Sequence, residues 1–283
     1  MKPYTEELIF IDAEDGVGLD GALIRPTTGT PTTAIVWIHG NTGQFHSMSY
    51  ILIGRVLAER GYLFVTGDTR GHDVVAQNFN VKTFEMVAGG SAWERFEEAP
   101  LDVNAWIEAA VKEGVERIIL VGHSQGAGKI TYTQAQRPDG RVKGMVLASP
   151  DLHGQNKHWK PELVEAARKL VTDGHPNDLM PPLFNAEWYR LTAANVVSRA
   201  EVLSHVYTSD RGAPSIAAIT CPILALFGSD GDIGGEAELA TLRQQAVSAP
   251  RFEGCMVGGD HMYTDHEAEV GKVIGEWIAG LGV

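Results

Sequence analysis

The stretch from Arg117 to Gln136, RIILVGHSQGAGKITYTQAQ, contains residues whose types and spacing suit nucleophilic catalysis. It opens with the apolar run 118–121, which is typical of a strand buried on both faces. The pentapeptide GHSQG and a helical pattern follow, and this order is the context of a nucleophile elbow. Gly122 and Gly126 would let strand and helix approach closely, holding Ser124 in a strained turn beside a helix N-terminus. The alternative is a Gly/Ser-rich turn between strand and helix, which any doubly wound protein can contain.

Length, composition and charge exclude several classes of protein. A chain of 283 residues, 44% of them hydrophobic, suits one large α/β domain with an insertion or two small domains. The net charge of −13 argues against nucleic-acid binding, because phosphates would be repelled. No apolar run approaches the ~20 residues that span a bilayer, and the polar start has no signal-peptide pattern. We therefore expect a cytoplasmic protein with no membrane partner, whose Cys221 and Cys255 are buried thiols in core strands.

The order of apolar runs and helical patterns predicts an α/β fold. Strands are expected at 8–11, 19–24, 34–38, 63–66, 118–121, 142–149, 223–227 and 252–257, the first two as a hairpin or meander. Helices are expected at 47–59, 101–112, 161–172, 186–205, 236–246 and 266–278, besides the one after the elbow. This alternation predicts a mostly parallel sheet with helices on both faces. Residues 74–98 are predicted to form a long connection, of a length that is often functional.

One segment interrupts the alternation of strands and helices. Residues 151–214 contain helical patterns and several aromatic residues but no strand pattern. We interpret them as a helical cap inserted into a core domain formed by residues 1–150 and 215–283. The alternative is an ordinary pair of helices packed on the core.

The elbow, together with the order of the other parts, resembles the α/β-hydrolase fold family. The resemblance extends over nearly the whole chain, from about Leu8 to Ile278. Within that family the chain is similar to serine esterases and lipases that carry a helical cap. The resemblance implies the fold and the class of reaction, but it does not specify a substrate.

The resemblance also implies a catalytic base and acid, in the chain order serine, acid, histidine. His261 lies on a Gly-rich loop after the last predicted strand, where the family places its base, and His266 is the alternative. The loop after the strand 223–227 reads GSDGDI, and the family pattern would put the acid at its second glycine. We favour Asp232, because an apolar residue follows it as in the family, and we keep Asp230 and Asp151 as alternatives.

Two backbone N–H groups are implied as donors to the oxyanion. One belongs to Gln125, directly after the nucleophile, and the other to Asn41 in the stretch His39-Gly40-Asn41, which matches the H-G-x form of the oxyanion loop. His39 is expected to be structural. The stretch 68–72, DTRGH, also resembles the family, and we expect its Arg70 to pair with a carboxylate.

The expected activity is hydrolysis of a small-molecule carboxylic ester or lactone, including macrocyclic lactones of the macrolide type. Ser124 would form an acyl-enzyme without a metal or cofactor. The same triad serves amidases, thioesterases, carbon–carbon bond hydrolases and acyltransferases, and a ligand-binding or receptor protein with a residual triad is a further alternative. The residues expected to bind substrate are the aromatic Trp93, Trp159, Trp188 and Tyr189. We expect a monomer or a small homo-oligomer.

Overall fold

The structure is a computed structural model that describes residues 2–152, 159–181, 190–231 and 233–282. In chain order the strands are β1 (Tyr4–Asp12), β2 (Gly18–Pro26), β3 (Thr33–Ile38), β4 (Leu63–Gly67), β5 (Ala76–Asn80), β6 (Glu85–Gly89), β7 (Arg117–His123), β8 (Val142–Ala148), β9 (Ile223–Gly228) and β10 (Phe252–Val257). The helices are α1 (Met48–Glu59), α2 (Ala99–Lys112), α3 (Gln125–Gln136), α4 (Pro161–Thr172), α5 (Ala193–Glu201), α6 (Glu236–Gln245) and α7 (Glu267–Gly280).

Eight strands form the central sheet, in the order β1-β2-β4-β3-β7-β8-β9-β10. From β4 to β10 across this order the strands are parallel, whereas β2 is antiparallel to both of its neighbours. The inner strands β3, β4 and β9 are buried at every position. A parallel sheet covered on both faces explains why their sequences are continuous apolar runs rather than alternating patterns.

Helices cover both faces of this sheet, as predicted. Helices α1 and α7 pack on one face, where Ile53, Leu57, Ile274 and Trp277 belong to one buried cluster. Helices α2, α3 and α6 pack on the other face in a second cluster, which includes Trp106, Ile130 and Leu242. No helix within the described ranges is long and apolar enough to cross a membrane.

The register of the parallel strands brings the ends of several strands to one edge of the sheet. Ile38 of β3 pairs with Gly122 of β7, and His123 pairs with Ala148 of β8. Ala148 in turn pairs with Leu226 of β9. The loops that follow these strands therefore meet at the carboxyl edge, which is where ligands bind in open α/β sheets.

The segment between β8 and β9 contains α4 and α5, with a short 3₁₀ helix after α5. The helix predicted at 161–172 is confirmed: Pro161 opens α4, and Gly174, with φ of 89°, follows its end. The helix predicted at 186–205 is shorter, because Thr192 caps α5 by accepting the backbone N–H of Asn195. Residues 182–189 lie outside the described ranges. A third buried cluster joins this segment to the 74–98 connection through Ala92, Val164, Ala167, Met180, Leu191, Ala193 and Val196.

Two details differ from the expectations. The 74–98 connection is not a simple loop, because β5 and β6 pair in an antiparallel hairpin. Cys221 precedes β9 instead of lying in it, and both Cys221 and Cys255 are half-buried rather than buried. Both are free thiols, and burial raises the pKa of Cys221 to about 11.

Candidate active site

Ser124 occupies a sharp and strained turn between β7 and α3. Its φ and ψ are 53° and −122°, a conformation that residues with a side chain rarely adopt. A Cβ on Gly122 would lie 2.4 Å from the backbone N of Ala127, and a Cβ on Gly126 would lie 2.3 Å from the carbonyl oxygen of Ile38. Because these distances are too short for non-bonded atoms, both positions require glycine.

The serine is the point at which this turn reaches solvent. Every residue from Ile118 to Thr131 is buried except Ser124, which is partly exposed. Gln125 follows as the first residue of α3, so its backbone N–H belongs to the turn in which a helix has no internal acceptors. The positive end of the helix dipole favours negative charge there. The Ser124 hydroxyl therefore lies beside a backbone suited to an oxyanion.

The loop after β3 lies directly against Ser124. A Cβ on Gly40 would lie 2.9 Å from Ser124 Cβ. His39 is fully buried, and desolvation holds its pKa well below its usual range. The Thr69 N–H donates to His39 Nε2 at 2.9 Å, so the neutral ring carries its proton on Nδ1 and donates it to the Gly40 carbonyl at 2.7 Å. Because a trans peptide directs its N–H away from its carbonyl, this bond also fixes the direction of the Asn41 N–H.

A buried group of charged residues holds the side chain of Asn41. Arg199 Nη2 on α5 donates to Asn41 Oδ1 at 2.9 Å and lies 3.4 Å from Glu94 Oε1. The other Glu94 oxygen lies 2.7 Å from Lys129 Nζ on α3. Lys129 also donates to the Thr69 hydroxyl at 2.8 Å. Glu94, Lys129 and Arg199, called the Glu94 cluster below, connect α3 and α5 to the 39–41 loop.

A chain of hydrogen bonds joins the 39–41 loop, the residue before Ser124 and the His261 loop. Burial lowers the pKa of His123 to about 3, so its ring is neutral. The carbonyl oxygen of His261 can only accept, and His123 Nε2 therefore donates to it at 2.8 Å. His123 Nδ1 then accepts from the Tyr50 hydroxyl at 2.8 Å, and that hydroxyl accepts the Gly40 N–H at 3.5 Å.

The loop after β10 brings His261 next to the elbow. The ring centroids of His261 and His123 are 4.6 Å apart. Asp260 stabilises this loop by accepting the backbone N–H groups of Met262 at 2.9 Å and Thr264 at 3.0 Å. These bonds, the one from Thr264 most strongly, lower the pKa of the Asp260 carboxyl. The loop is thus fixed by its own backbone contacts.

The favoured acid, Asp232, lies outside the described residues. The chain just before it runs alongside the His261 loop. A Cβ on Gly228 would lie 2.2 Å from the carbonyl oxygen of Asp260, and a Cβ on Gly231 would lie 3.8 Å from the backbone N of His261. The loop after β9 therefore reaches the predicted base within one residue of Asp232.

The alternative acids and the alternative base have other contacts. Asp230 is exposed, and its carboxylate accepts from the Ser229 hydroxyl at 3.1 Å. Asp151 is half-buried beyond the end of β8. The pKa of Tyr207 is raised mainly by the burial of its own ring and, to a smaller extent, by the negative charge of Asp151. His266 Nδ1 lies 3.0 Å from the carboxylate of the glutamate three residues later in the chain. None of the contacts named here involves Ser124.

The expectation that Arg70 pairs with a carboxylate is confirmed. Its guanidinium lies 2.8 Å from both Asp102 and Asp15, and 3.5 Å from Glu98. Nearby, burial raises the pKa of Asp68 to about 7. The ion pairs of Arg70 tie the loop after β4 to α2 and to the β1–β2 turn, which is a structural role.

Comparison with known proteins identifies the family. The model of the family described as serine aminopeptidase, S33, matches residues 29–246. The chain belongs to this family. No curated protein sequence matches it.

Solved structures of esterases and of a lipase share the fold across nearly the whole chain. Est1E from Butyrivibrio proteoclasticus superposes with a TM-score of 0.66 at 18% identity, covering 97% of this chain and 98% of that one. The Pyrococcus furiosus esterase Pf2001 has a TM-score of 0.61 at 16% identity, covering 98% and 92%. A lipase in its open form has a TM-score of 0.68 at 15% identity, covering 98% and 99%. The predicted α/β-hydrolase fold is confirmed, in a family of hydrolases whose fold is shared by esterases and a lipase.

The aromatic residues predicted to bind substrate lie in different places. Trp159 lines a cavity of about 1060 Å³ between α4 and the chain after α5. Trp93 lines another of about 470 Å³ beside the β5–β6 hairpin. Within the described part of the chain, Ser124 lines neither cavity. Trp188 and Tyr189 lie outside the described residues.

Sequence reasoning missed the residues that hold the site together. Tyr50 follows an ordinary helical pattern in α1, and no role was predicted for His123 within the pentapeptide. Lys129 gave a usable signal, because a lysine among the buried positions of α3 requires a partner. For the residues that the structure describes, no group of three or more His, Cys, Asp or Glu side chains is arranged to hold a metal ion.

Proposed function

We propose that the protein is a serine hydrolase that cleaves a carboxylic ester or lactone through an acyl-enzyme. The observation that carries the proposal is the strained turn at Ser124, whose φ is 53°. Ser124 is the one residue that reaches solvent in the otherwise buried stretch of 14 residues from 118 to 131. Strained backbone of this kind persists where the surrounding structure enforces it, often at catalytic sites.

In the proposed mechanism, Ser124 Oγ attacks the carbonyl carbon as His261 takes the hydroxyl proton. The carbonyl oxygen becomes an oxyanion that accepts the N–H groups of Gln125 and Asn41. His261 then protonates the leaving alcohol, which leaves an ester on Ser124. Water repeats the same steps and releases the acid. Asp232 accepts the Nδ1–H of His261, keeping Nε2 directed to the serine; no metal or cofactor takes part.

Contacts on both sides of Ser124 support these roles. His39 directs the Gly40 carbonyl and hence the opposite N–H of Asn41. The N–H of Gln125 lies in the first turn of α3. The main chain of His261 is tied to His123, directly before the nucleophile. The proposed donors and base therefore rest on fixed backbone, which favours a preorganised site.

The substrate is proposed to be a small ester or lactone, with macrocyclic lactones among the candidates. One structure of Est1E has ferulic acid bound, and DcsB was solved with a substrate analogue. A hydroxycinnamate ester therefore belongs in the first substrate panel. We also propose that residues 151–214 form a cap on a core of 1–150 and 215–283, and that Trp159, Trp188 and Tyr189 influence which substrate fits. Trp93, on the 74–98 connection, is also proposed to bind substrate.

The family's description favours a second candidate, cleavage of an amide bond at a peptide N-terminus. Amide and ester hydrolysis use the same triad, so the site alone does not rank them. A panel of an aryl ester, a hydroxycinnamate ester, a lactone, a thioester and an aminoacyl anilide discriminates between these activities. Labelling of Ser124 without turnover of any member would favour a ligand-binding protein with a residual triad.

We propose further that the protein works in the cytoplasm as a monomer or a small homo-oligomer. Its net charge of −13 supports a small-molecule substrate rather than a nucleic acid.

The proposal is tested with the variant Ser124→Ala and an aryl ester. We expect kcat to fall by at least about 10³-fold, as for other triad nucleophiles, with an unchanged melting temperature because alanine keeps the Cβ and the same backbone. The matched control is Ser248→Ala, because Ser248 is exposed beyond the end of α6. Ester turnover by Ser124→Ala at the rate of this control would exclude the serine mechanism.

A further inference from the structure

The Glu94 cluster is an ionic group buried beside the proposed oxyanion loop. The side chains of Lys129, Glu94 and Arg199 are 2%, 4% and 10% exposed. A charge removed from water needs paired charges and hydrogen bonds, or it destabilises the fold. The Glu94 carboxylate is also tightly packed, since a Cβ on Gly71 would lie 1.8 Å from it. The carboxylate therefore has one defined position.

Arg199 connects this fixed carboxylate to the segment between β8 and β9. Its Nη2 contacts Glu94 Oε1, the Asn41 side chain and the carbonyl oxygen of Ser91, the last at 2.9 Å. On the same helix, Asn195 Nδ2 donates to the carbonyls of Ser91 at 2.9 Å and Glu94 at 2.6 Å. Helix α5 is thus attached to the chain 91–94 at two positions, one turn apart.

The other oxygen of the Glu94 carboxylate is connected through a series of hydrogen bonds to the main chain of the 39–41 loop. Lys129 bonds both Glu94 and Thr69, Thr69 donates its N–H to His39, and His39 donates to the Gly40 carbonyl. The peptide that carries the Asn41 N–H is held at Gly40 O by this route. Arg199 holds the side chain of Asn41 at Oδ1. One buried carboxylate therefore anchors both contacts.

We propose that Arg199 is a positioning residue for the oxyanion donor Asn41, so that α5 acts on the chemical step and not only on substrate choice. This inference rests on the proposed function, because it assigns an effect to the Asn41 N–H. Arg199 touches no reacting atom; it acts through the side chain of Asn41. The two N–H groups of its Nη2, held in the fixed plane of the guanidinium, serve the Asn41 amide and the Ser91 carbonyl beside the Glu94 carboxylate, whereas the ammonium of lysine is a compact charge on a flexible stem.

The expected effect is on kcat. Loss of a complete oxyanion donor lowers kcat by about 10²- to 10³-fold. Arg199→Lys keeps a positive charge near Glu94 and leaves the His39 contact intact, so the N–H is misplaced rather than lost. We expect kcat to fall by about 10- to 50-fold, with a change in KM below about 3-fold. Asn41→Ala removes the same contact from the other side and should have a similar effect.

The experiment compares wild type, Arg199→Lys, Asn41→Ala and the double variant. The readouts are kcat and KM for several aryl esters, the melting temperature, and the affinity for a trifluoromethyl ketone, whose serine adduct carries an oxyanion. The control is Arg251→Lys, because Arg251 lies just before β10, outside the 151–214 segment, and makes a surface ion pair with Glu253.

The expected result is an equal fall in kcat for all esters, with ketone affinity falling in parallel. The double variant should be no slower than the slower single variant, because each single variant already loses the hydrogen bond between Arg199 and Asn41. Multiplied effects in the double variant, an effect confined to KM, or unchanged ketone affinity would each overturn the inference while leaving an active wild type and the proposed function in place. If the wild type neither hydrolyses the esters nor binds the ketone, the proposed function fails, and this inference with it.

Discussion

Replacing Tyr50 with phenylalanine tests whether the hydrogen-bond chain around His123 positions the site. Tyr50 is 2% exposed, and its ring packs against Trp37 with centroids 5.2 Å apart. The variant keeps this ring and removes only the hydroxyl. Two groups lose their partner: His123 Nδ1, which accepts at 2.8 Å, and the Gly40 N–H, which donates at 3.5 Å.

The magnitude follows from what stays buried without a partner. An unsatisfied buried acceptor such as His123 Nδ1 costs about 1–3 kcal/mol, and the long bond from Gly40 adds little. A loss of about 2 kcal/mol corresponds to roughly 4–8 °C in melting temperature for a chain of this size. A misplacement of about 1 Å can lower a rate 10²-fold. Because His39 still holds the Gly40 carbonyl, we expect a smaller fall in kcat, of about 10-fold.

The assay measures kcat for an aryl ester and the melting temperature, with Tyr62→Phe as the control. The hydroxyl of half-buried Tyr62 donates to the Gly275 carbonyl on α7 at 3.3 Å, away from the site. This control should lose at most about 1 kcal/mol of stability and keep its rate. Equal kcat in the two variants would refute the positioning role of Tyr50, even if Tyr50→Phe proved the less stable protein.

Two further predictions concern the acid and the effect of pH. Asp232→Asn should lower kcat by about 10²- to 10⁴-fold, whereas Asp230→Asn should mainly cost about 1 kcal/mol of stability; the reverse result would exchange their roles. His39 and His123 have lowered pKa values, so below about pH 6.5 the unfolded chain binds two protons that the folded chain does not. Asp68, with its pKa raised to about 7, opposes this by one proton between about pH 4 and 7. Urea unfolding should therefore show a net loss of about 1.4 kcal/mol per pH unit from pH 6 to 4.5, and a constant or rising stability would contradict these assignments.

The elbow could be predicted from sequence because its requirements lie within a few consecutive residues. Gly122 and Gly126 are needed for contacts within this turn and with the adjacent β3, and the strand and helix beside them have clear periodic patterns. The same holds for helix α4, whose proline start and glycine end are local signals. The order of such elements was sufficient to predict the fold.

The supporting contacts could not be predicted, because they join distant parts of the chain. Tyr50 and His123 are 73 residues apart, and Arg199 and Asn41 are 158 apart. Neither pair has a pattern that distinguishes it from ordinary helical or loop residues. The β5–β6 hairpin escaped prediction for another reason: AQNFN and EMVAG are short, show no regular alternation of apolar and polar residues, and lie outside the main sheet.

The most direct test of the central claim is mass spectrometry of the protein after reaction with a fluorophosphonate. We expect one covalent phosphonyl group per chain, located on the peptide that contains Ser124, with ester turnover lost in proportion to labelling. Ser124→Ala should remain unlabelled, whereas Ser248→Ala should label like the wild type. A wild-type protein that hydrolyses esters but carries no label on Ser124, or carries it on another serine, would exclude Ser124 as the nucleophile.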